Sequence, residues 1–233
     1  MIKVITWKWR REGYRDRYSA VHVNTFYEML KRHTSVPFEP LCITDDPTGV
    51  QVPTMKLWGN PVPSYGSLHK PNCFYRVRAF SSEFRETLGR FIWFDLDSVI
   101  CGNVDHLLQD TAEFKIWRPD GEKMPCNGSL VLHQAGTRAY TWAFFDPTMV
   151  DNIWGYRYTT GFQGSDQAWI AYNLKPHDQF FTQKEGIFSF RSHVQGKKKL
   201  PEGARVVFFN GEFKPWDPIV RKLNPWIKDH YPC

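Results

Sequence analysis

Arg90-Phe-Ile-Trp-Phe-Asp-Leu-Asp97 is an apolar run that breaks into acid. Phe91 to Phe94 show no alternation of apolar and polar positions, which is the pattern of a strand buried on both faces in a parallel sheet covered by helices. Asp95 and Asp97 stand two residues apart at the strand end, where a period of two aims both side chains to one side. They can share a cation, and hard carboxylate oxygens suit Mg²⁺ or Mn²⁺ better than zinc. A lone D-x-D also arises from helix caps and chance strand ends, so its weight depends on its surroundings.

On the N-terminal side, Phe74, Val77, Phe80, Phe84 and Leu88 recur at helical spacing, with Pro71 where a first turn tolerates proline and Gly89 where a helix stops. One helix over 74–88 is predicted. Residues 2–6 predict a buried strand, Tyr18, Val21, Phe26, Met29 and Leu30 a helix ending before Pro37, and 41–46 a second strand, together a β-α-β opening. The Pro- and Gly-rich stretch 51–72 predicts an extended surface connection. On the C-terminal side, strands are predicted at 113–118, 128–133 and 205–210, and helices at 138–145 and 166–173. Residues 151–164, with Trp154, Tyr156 and Tyr158, predict an irregular loop with aromatic faces. No repeat or linker divides these elements, so a single α/β domain over 1–233 is expected, with a mostly parallel sheet flanked by helices.

Composition narrows the class. Apolar residues at 42% and charged residues at 23% argue for a folded globular protein and against disorder. Aromatic residues reach 16%, and the ten Trp are spread along the chain, so stacking surfaces for bases or sugars compete with ordinary packing as their role. Five Cys form no C-x-x-C pair and leave an odd count, which points away from a zinc site or a disulfide framework and toward a reducing cytoplasm. The N-terminus turns basic after five residues and no apolar run approaches 18 residues, so neither a cleavable signal nor a transmembrane segment is expected. The net charge of +6 favours polyanionic partners without naming one.

The stretch from Phe91 to Leu107, FIWFDLDSVICGNVDHL, resembles the D-x-D strand and turn of GT-A glycosyltransferases, most closely the retaining family of glycogenin and bacterial lipopolysaccharide galactosyltransferases. Three further segments match in order: Asn127-Gly-Ser-Leu-Val-Leu132 is similar to the family's N-x-G-apolar strand, Gly164-Ser-Asp-Gln-Ala-Trp-Ile170 to its G-D-Q helix start, and Phe208-Phe-Asn-Gly-Glu-Phe-Lys-Pro-Trp216 to its H-x-x-G-x-x-K-P-W signature. The last is long and specific. The resemblance implies a GT-A (Rossmann-like) fold and a metal-dependent transferase that moves a hexose from a nucleoside diphosphate sugar, a UDP-sugar first, to a hydroxyl acceptor with retention. It makes Asp95 and Asp97 the ligands of Mn²⁺ or Mg²⁺, with Asp95 and Leu96 also near the donor. Asn127 and Gly128 would face the donor sugar, Asp166 and Gln167 would lie beside its reacting carbon, and Gly211 and Lys214 would hold the diphosphate. Base contacts would fall on Thr6 and the Thr44-Asp45 strand end, and Arg76 would face the donor from the preceding helix. A solvated helix face for Arg76 and a turn acid for Asp45 are the plain alternatives.

One departure matters. The family's metal-binding His is replaced by Phe208, which cannot ligate, and Asn210 stands just before the glycine. An amide oxygen is a hard ligand, so Asn210 is a candidate third, weaker metal ligand.

Two other classes compete. A haloacid-dehalogenase-like phosphatase shares the apolar strand ending in D-x-D, but needs a later acid that falls on Ile170 here. A non-catalytic nucleic-acid-binding relative is favoured by the basic aromatic cluster Trp7, Trp9, Arg10, Arg11, Tyr14, Arg15 and Arg17 and by Lys197 to Lys199. The two ideas combine in an enzyme that glycosylates a hydroxymethylated DNA base; a saccharide or lipid-linked saccharide is the family's commoner acceptor. His133, His177 and His193 are candidate acceptor bases with nothing in the sequence to separate them.

Overall fold

The computed structural model describes residues 1–10, 18–59, 73–121, 125–146, 166–197 and 199–232. Among these described residues ten strands run in chain order as β1 (Ile2–Lys8), β2 (Phe38–Thr44), β3 (Thr54–Lys56), β4 (Arg90–Phe94), β5 (Ser98–Ile100), β6 (Phe114–Trp117), β7 (Asn127–Gln134), β8 (Gln179–Phe181), β9 (Ile187–Ser189) and β10 (Val206–Phe208). The main sheet has the order β3-β2-β1-β4-β7-β6-β8. Its strands are parallel except β7, which runs antiparallel to both β4 and β6. This is the expected α/β architecture with a mostly parallel sheet.

The unalternating β4 serves two cores. Ile92 and Phe94 pack on one face with Val23, Phe26 and Leu30 of helix α1 (Ala20–Arg32). Phe91 and Trp93 pack on the other with Phe80 and with Ala168 and Ile170 of helix α2 (Asp166–Tyr172). These four side chains of β4 are inaccessible to solvent, as a centre strand covered on both sides requires.

Two connections position the candidate site. The β4–β7 pairing sets Phe94 opposite Leu130, and just past it the Asp95 N–H donates to the Ser129 carbonyl at 2.9 Å. The acid at the end of β4 therefore lies beside the start of β7. A second sheet, ordered β5-β10-β9, sets Ser98 opposite Phe208, and the Phe209 N–H donates to the Asp97 carbonyl at 2.8 Å. The segment after β10 is thereby delivered to the acidic pair.

The segment 74–88 is not the single helix predicted. It consists of 3₁₀ turns at Phe74–Phe80 and Ser82–Phe84 and an α-turn at Arg85–Leu88. Ser81 takes an extended conformation with ψ 142° and its hydroxyl accepts from the Glu83 N–H, so the chain stops and restarts there. Gly89 ends the run with φ 58°, as its residue type implies. Pro71 lies outside the described residues, as does the predicted aromatic loop at 151–164. The short strands β3, β5, β8 and β9 and the helices α3 (Pro218–Leu223) and α4 (Trp226–His230) are not apparent from sequence periodicity, since each spans under two turns or only three residues. Among the described residues no helix is long and apolar enough to cross a membrane.

Tyr27 ties α1 into the β1–β2 ladder. Its hydroxyl donates to the Val4 carbonyl at 2.8 Å and accepts from the Leu41 N–H at 3.1 Å, all of it buried. Tyr27→Phe should strip a buried donor and acceptor of their partner and lower stability by about 1–3 kcal/mol, read from urea denaturation, with the fold retained.

Candidate active site at the ends of β4 and β7

Asp95 and Asp97 lie in the turn between β4 and β5, past the strand end, so pleat alternation does not orient them. Each is instead drawn to its own cation. Arg76 Nη1 is 2.5 Å from Asp95 Oδ1, and Lys214 Nζ is 2.6 Å from Asp97 Oδ2. Arg76 also places Nε 2.8 Å from Asp166 Oδ2, and its Nη1 donates to the Gly128 carbonyl at 3.1 Å. One guanidinium thus joins the end of β4, the start of β7 and the first residue of α2. Its planar fork suits it to several oxygens at once.

Burial sets the electrostatics. Burial pushes the Asp95 carboxyl up, to about 6; Arg76 opposes the rise and Asp97 adds to it. Burial likewise raises Asp166, with Arg76 pulling the other way. Burial disfavours the Arg76 charge, but Asp166 and Asp95 together hold its pKa well above the ordinary value. The solvated helix face considered for Arg76 is therefore excluded.

Gly128 is hemmed in by this assembly. A Cβ there would stand 3.3 Å from Arg76 Nη2, 3.4 Å from Asp166 Oδ2 and 3.4 Å from Gln167 Cβ. The Gly128 N–H also donates to Gln167 Oε1 at 3.2 Å. Asn127 is buried beside it, its amide oxygen accepting from the Ser129 N–H at 2.9 Å. Gly211 is glycine for a different reason: φ is 99°, a conformation L side chains rarely adopt, with open space where a Cβ would be.

The residues fit a hard dication. Asp97 Oδ1 is buried with no hydrogen-bond partner among the described residues, and Asp95 keeps a side chain 27% exposed beside it in the same turn. Among the described residues no group of three or more His, Cys, Asp or Glu side chains could hold a metal. Asn210 is brought in by Ser129, whose hydroxyl donates to the Asn210 Oδ1 at 3.0 Å and also bears on the Asp95 carboxylate. Ser129 was not among the residues expected from sequence. Its signal was its place two residues after Asn127 on β7, which puts both on one strand face.

The structure thus brings together Arg76, Asp95, Asp97, Asn127, Gly128, Asp166, Gln167, Asn210 and Lys214. Other candidates lie apart. The Thr6 side chain is fully buried, with its hydroxyl 3.4 Å from the Tyr27 hydroxyl, so it faces the core. The Leu96 side chain is likewise a core residue, leaving only its backbone toward the site. Asp45 is exposed and accepts from the Arg10 N–H at 2.9 Å, close enough to Tyr75 to help burial raise that phenol. Tyr75 in turn meets the half-buried Trp9 with ring centroids 5.4 Å apart. Phe208 lies in the aromatic core, 4.9 Å from the Trp117 ring centroid and stacked with Phe94.

The histidines now separate. His133 is buried among Phe80, Phe91 and Phe114, and burial lowers its pKa to about 3. It pairs with Phe91 at the far end of β4, so it is no acceptor base. Both ring nitrogens of His193 are engaged, by the Ser189 N–H and the Asp120 carbonyl. His177 is exposed. Trp7, offered as a stacking face for nucleic acid, is a core residue packed edge-on to Trp58 and Trp93. Arg10 pairs with Asp46; Arg11, Tyr14, Arg15, Arg17 and Lys198 lie outside the described residues.

The fold is shared with known transferases. Over 98% of this chain and 96% of the other it is similar to the galactosyltransferase LgtC solved with donor and acceptor sugar analogs, at TM-score 0.60 and 12% identity. It is similar to an active-site mutant of LgtC over the same shares, at TM-score 0.57 and 11% identity. The glycosyltransferase GlyE of Streptococcus pneumoniae matches over 94% of this chain and 57% of its own length, at TM-score 0.61 and 13% identity. The chain therefore has the GT-A glycosyltransferase fold. No protein-family model matches the sequence, and no curated protein matches it.

Arg76→Met should leave the buried Asp166 and the partly exposed Asp95 without their partner and cost about 3–5 kcal/mol. The folded-state carboxyl of Asp166 already titrates above an unfolded one, so its ionised form costs stability as pH rises through that range, and Arg76 offsets the cost. The deficit of the variant, measured by denaturant titration, should accordingly be largest near neutral pH and narrow as the pH falls and the acid protonates.

Proposed function

We propose that the protein is a metal-dependent hexosyltransferase that takes its sugar from a nucleoside diphosphate sugar, a UDP-sugar first, and passes it to a hydroxyl acceptor with retention. The observation that carries this reading is the convergence of Asp95, Asp97, Arg76, Asp166 and Lys214 on one end of the sheet, in two linked sets of ion pairs. These come from four separate stretches of chain. A phosphatase has no use for Asp166 fastened to Asp95 through an arginine, and this chain has Ile170 where such an enzyme needs its later acid.

In this reading Asp95 and Asp97 hold Mn²⁺ or Mg²⁺, with Asn210 as a weaker third ligand. Such an ion neutralises charge on the departing diphosphate. Lys214 supplies a positive charge to the same leaving group, and Gly211 allows the backbone to approach it. Asn127 and Gly128 face the donor sugar. Asp166 and the Gln167 amide, which is held to the Gly128 N–H, stabilise positive charge on the sugar ring or, as the second alternative, provide a nucleophile. Arg76 is a positioning residue that keeps Asp166 in place. Asp45, next to Trp9 and Tyr75, serves the nucleotide base.

The acceptor is a saccharide, a lipid-linked saccharide or a hydroxymethylated DNA base. Trp7 is a core residue, which removes one stacking face from the cluster that favoured nucleic acid and puts saccharide acceptors first, while Arg10 stays exposed beside Asp46. A cytoplasmic location belongs to the same proposal.

A thermal-shift panel of nucleotide sugars with and without Mn²⁺ tests the donor. A UDP-sugar with Mn²⁺ at 100 times its dissociation constant should stabilise the protein by about 2.7 kcal/mol. No shift with any nucleotide sugar, alongside phosphate release from an aryl phosphate, would sink the reading. Asp97→Asn should lower turnover by about 10²–10³-fold, the size seen when one preorganised charge-stabilising group is lost, without unfolding the protein. Full activity in EDTA would remove the metal, and Asn210→Ala with unchanged Mn²⁺ affinity would remove the third ligand. Labelled sugar passing to hydroxymethylated but not plain DNA would move the acceptor to nucleic acid.

A further inference from the structure

Lys214 is closer to Asp97 than a role on the diphosphate alone requires. Its Nζ lies 2.6 Å from Oδ2, with the two side chains only 7% and 6% exposed. The other oxygen of the same carboxylate, Oδ1, is buried without a hydrogen-bond partner among the described residues. The ammonium therefore sits on the carboxylate that the metal-dependent reading assigns to the dication.

The backbone around the pair is held. The Phe209 N–H donates to the Asp97 carbonyl, which ties the segment to the acidic turn, and the Lys214 N–H donates to Asp217 Oδ2 at 2.9 Å. The lysine stem, by contrast, has four rotatable carbons and ends in a compact point charge. Moving Nζ off Asp97 thus needs side-chain torsions and no change of fold.

Charge decides when it moves. Arg76 is shared between Asp95 and Asp166, whereas Lys214 faces Asp97, so a bare dication meets in Asp97 a carboxylate already balanced by a cation. Ammonium and metal on one carboxylate also repel strongly where water is scarce. A diphosphate would change the balance, because it would offer the ammonium a second set of anionic oxygens.

We infer that Lys214 is the resident counterion of Asp97 in the donor-free protein, competes there with the divalent cation, and leaves for the donor's diphosphate when metal and nucleotide bind as a unit. This rests on the metal-dependent transferase reading. It makes metal and nucleotide mutually reinforcing, each raising the affinity of the other by the same factor.

The test follows Mn²⁺ binding to the full chain through the electron paramagnetic resonance signal of free aqueous Mn²⁺, with and without UDP. Wild type should bind Mn²⁺ weakly alone and at least tenfold more tightly with UDP. Lys214→Met should bind Mn²⁺ at least tenfold more tightly than wild type without UDP and gain less from UDP. Lys214→Gln, which keeps a hydrogen-bond donor for Asp97 without the charge, should behave alike and serves if the methionine variant does not fold. Lys214→Arg should stay close to wild type without UDP. Neutral variants whose donor-free Mn²⁺ affinity is unchanged or weaker, in a protein whose wild type binds Mn²⁺ with UDP, would overturn the competition and leave the transferase reading standing. No Mn²⁺ binding by any form, even with UDP, would overturn the metal-dependent reading and the competition with it.

Discussion

The guanidinium of Arg76 is the contact on which the candidate site depends. It is almost wholly buried, a position an unpaired charge could not hold, and it is tolerated because Asp95 and Asp166 both lie against it. Its fork reaches the Gly128 carbonyl as well, and its carbon lies 5.8 Å from the Trp93 ring centre. This one group helps to crowd the space a Cβ at residue 128 would take, ties the first residue of α2 to the end of β4, and offsets the charge of Asp166 despite burial.

A second constraint comes from the sheets. Strand β7 runs against its neighbours, so its first residues rather than its last meet the end of β4. Asn127, Gly128 and Ser129 are at the site for that reason, and His133 at the other end of the same strand is not. The small β5-β10-β9 sheet does the equivalent for the C-terminal part of the chain. It passes Asp97 to Phe209 through a backbone hydrogen bond, and Asn210, Gly211 and Lys214 follow within a few residues.

Much of this was legible in the chain before folding. The unalternating run at β4 implied burial on both faces, and the structure divides it between two cores. The acids, the Asn-Gly start of β7 and the K-P-W segment lie in short motifs whose spacing is local, so sequence shows them directly. The segment 74–88 was less legible. Its apolar spacing is helical, but Ser81 bonds to its own backbone neighbourhood and interrupts the helix, a local competition that periodicity does not register. The facing of Thr6 and Trp7 was not legible for a related reason: residues at the end of a strand are near the site in sequence terms, yet which side their side chains face depends on what covers each side of the sheet.

By itself the sequence determined the strand, the acidic pair and the order of the motifs, because these rest on residue type and short-range spacing. The tertiary structure alone decided how the charges pair. Arg76 with Asp95 and Asp166, and Lys214 with Asp97, are separated by 19 to 117 residues and meet only through strand pairing and helix packing. Burial then sets their energies, since the same groups in water would attract one another weakly. Spacing along the chain carries no information about either the distance or the dielectric between them.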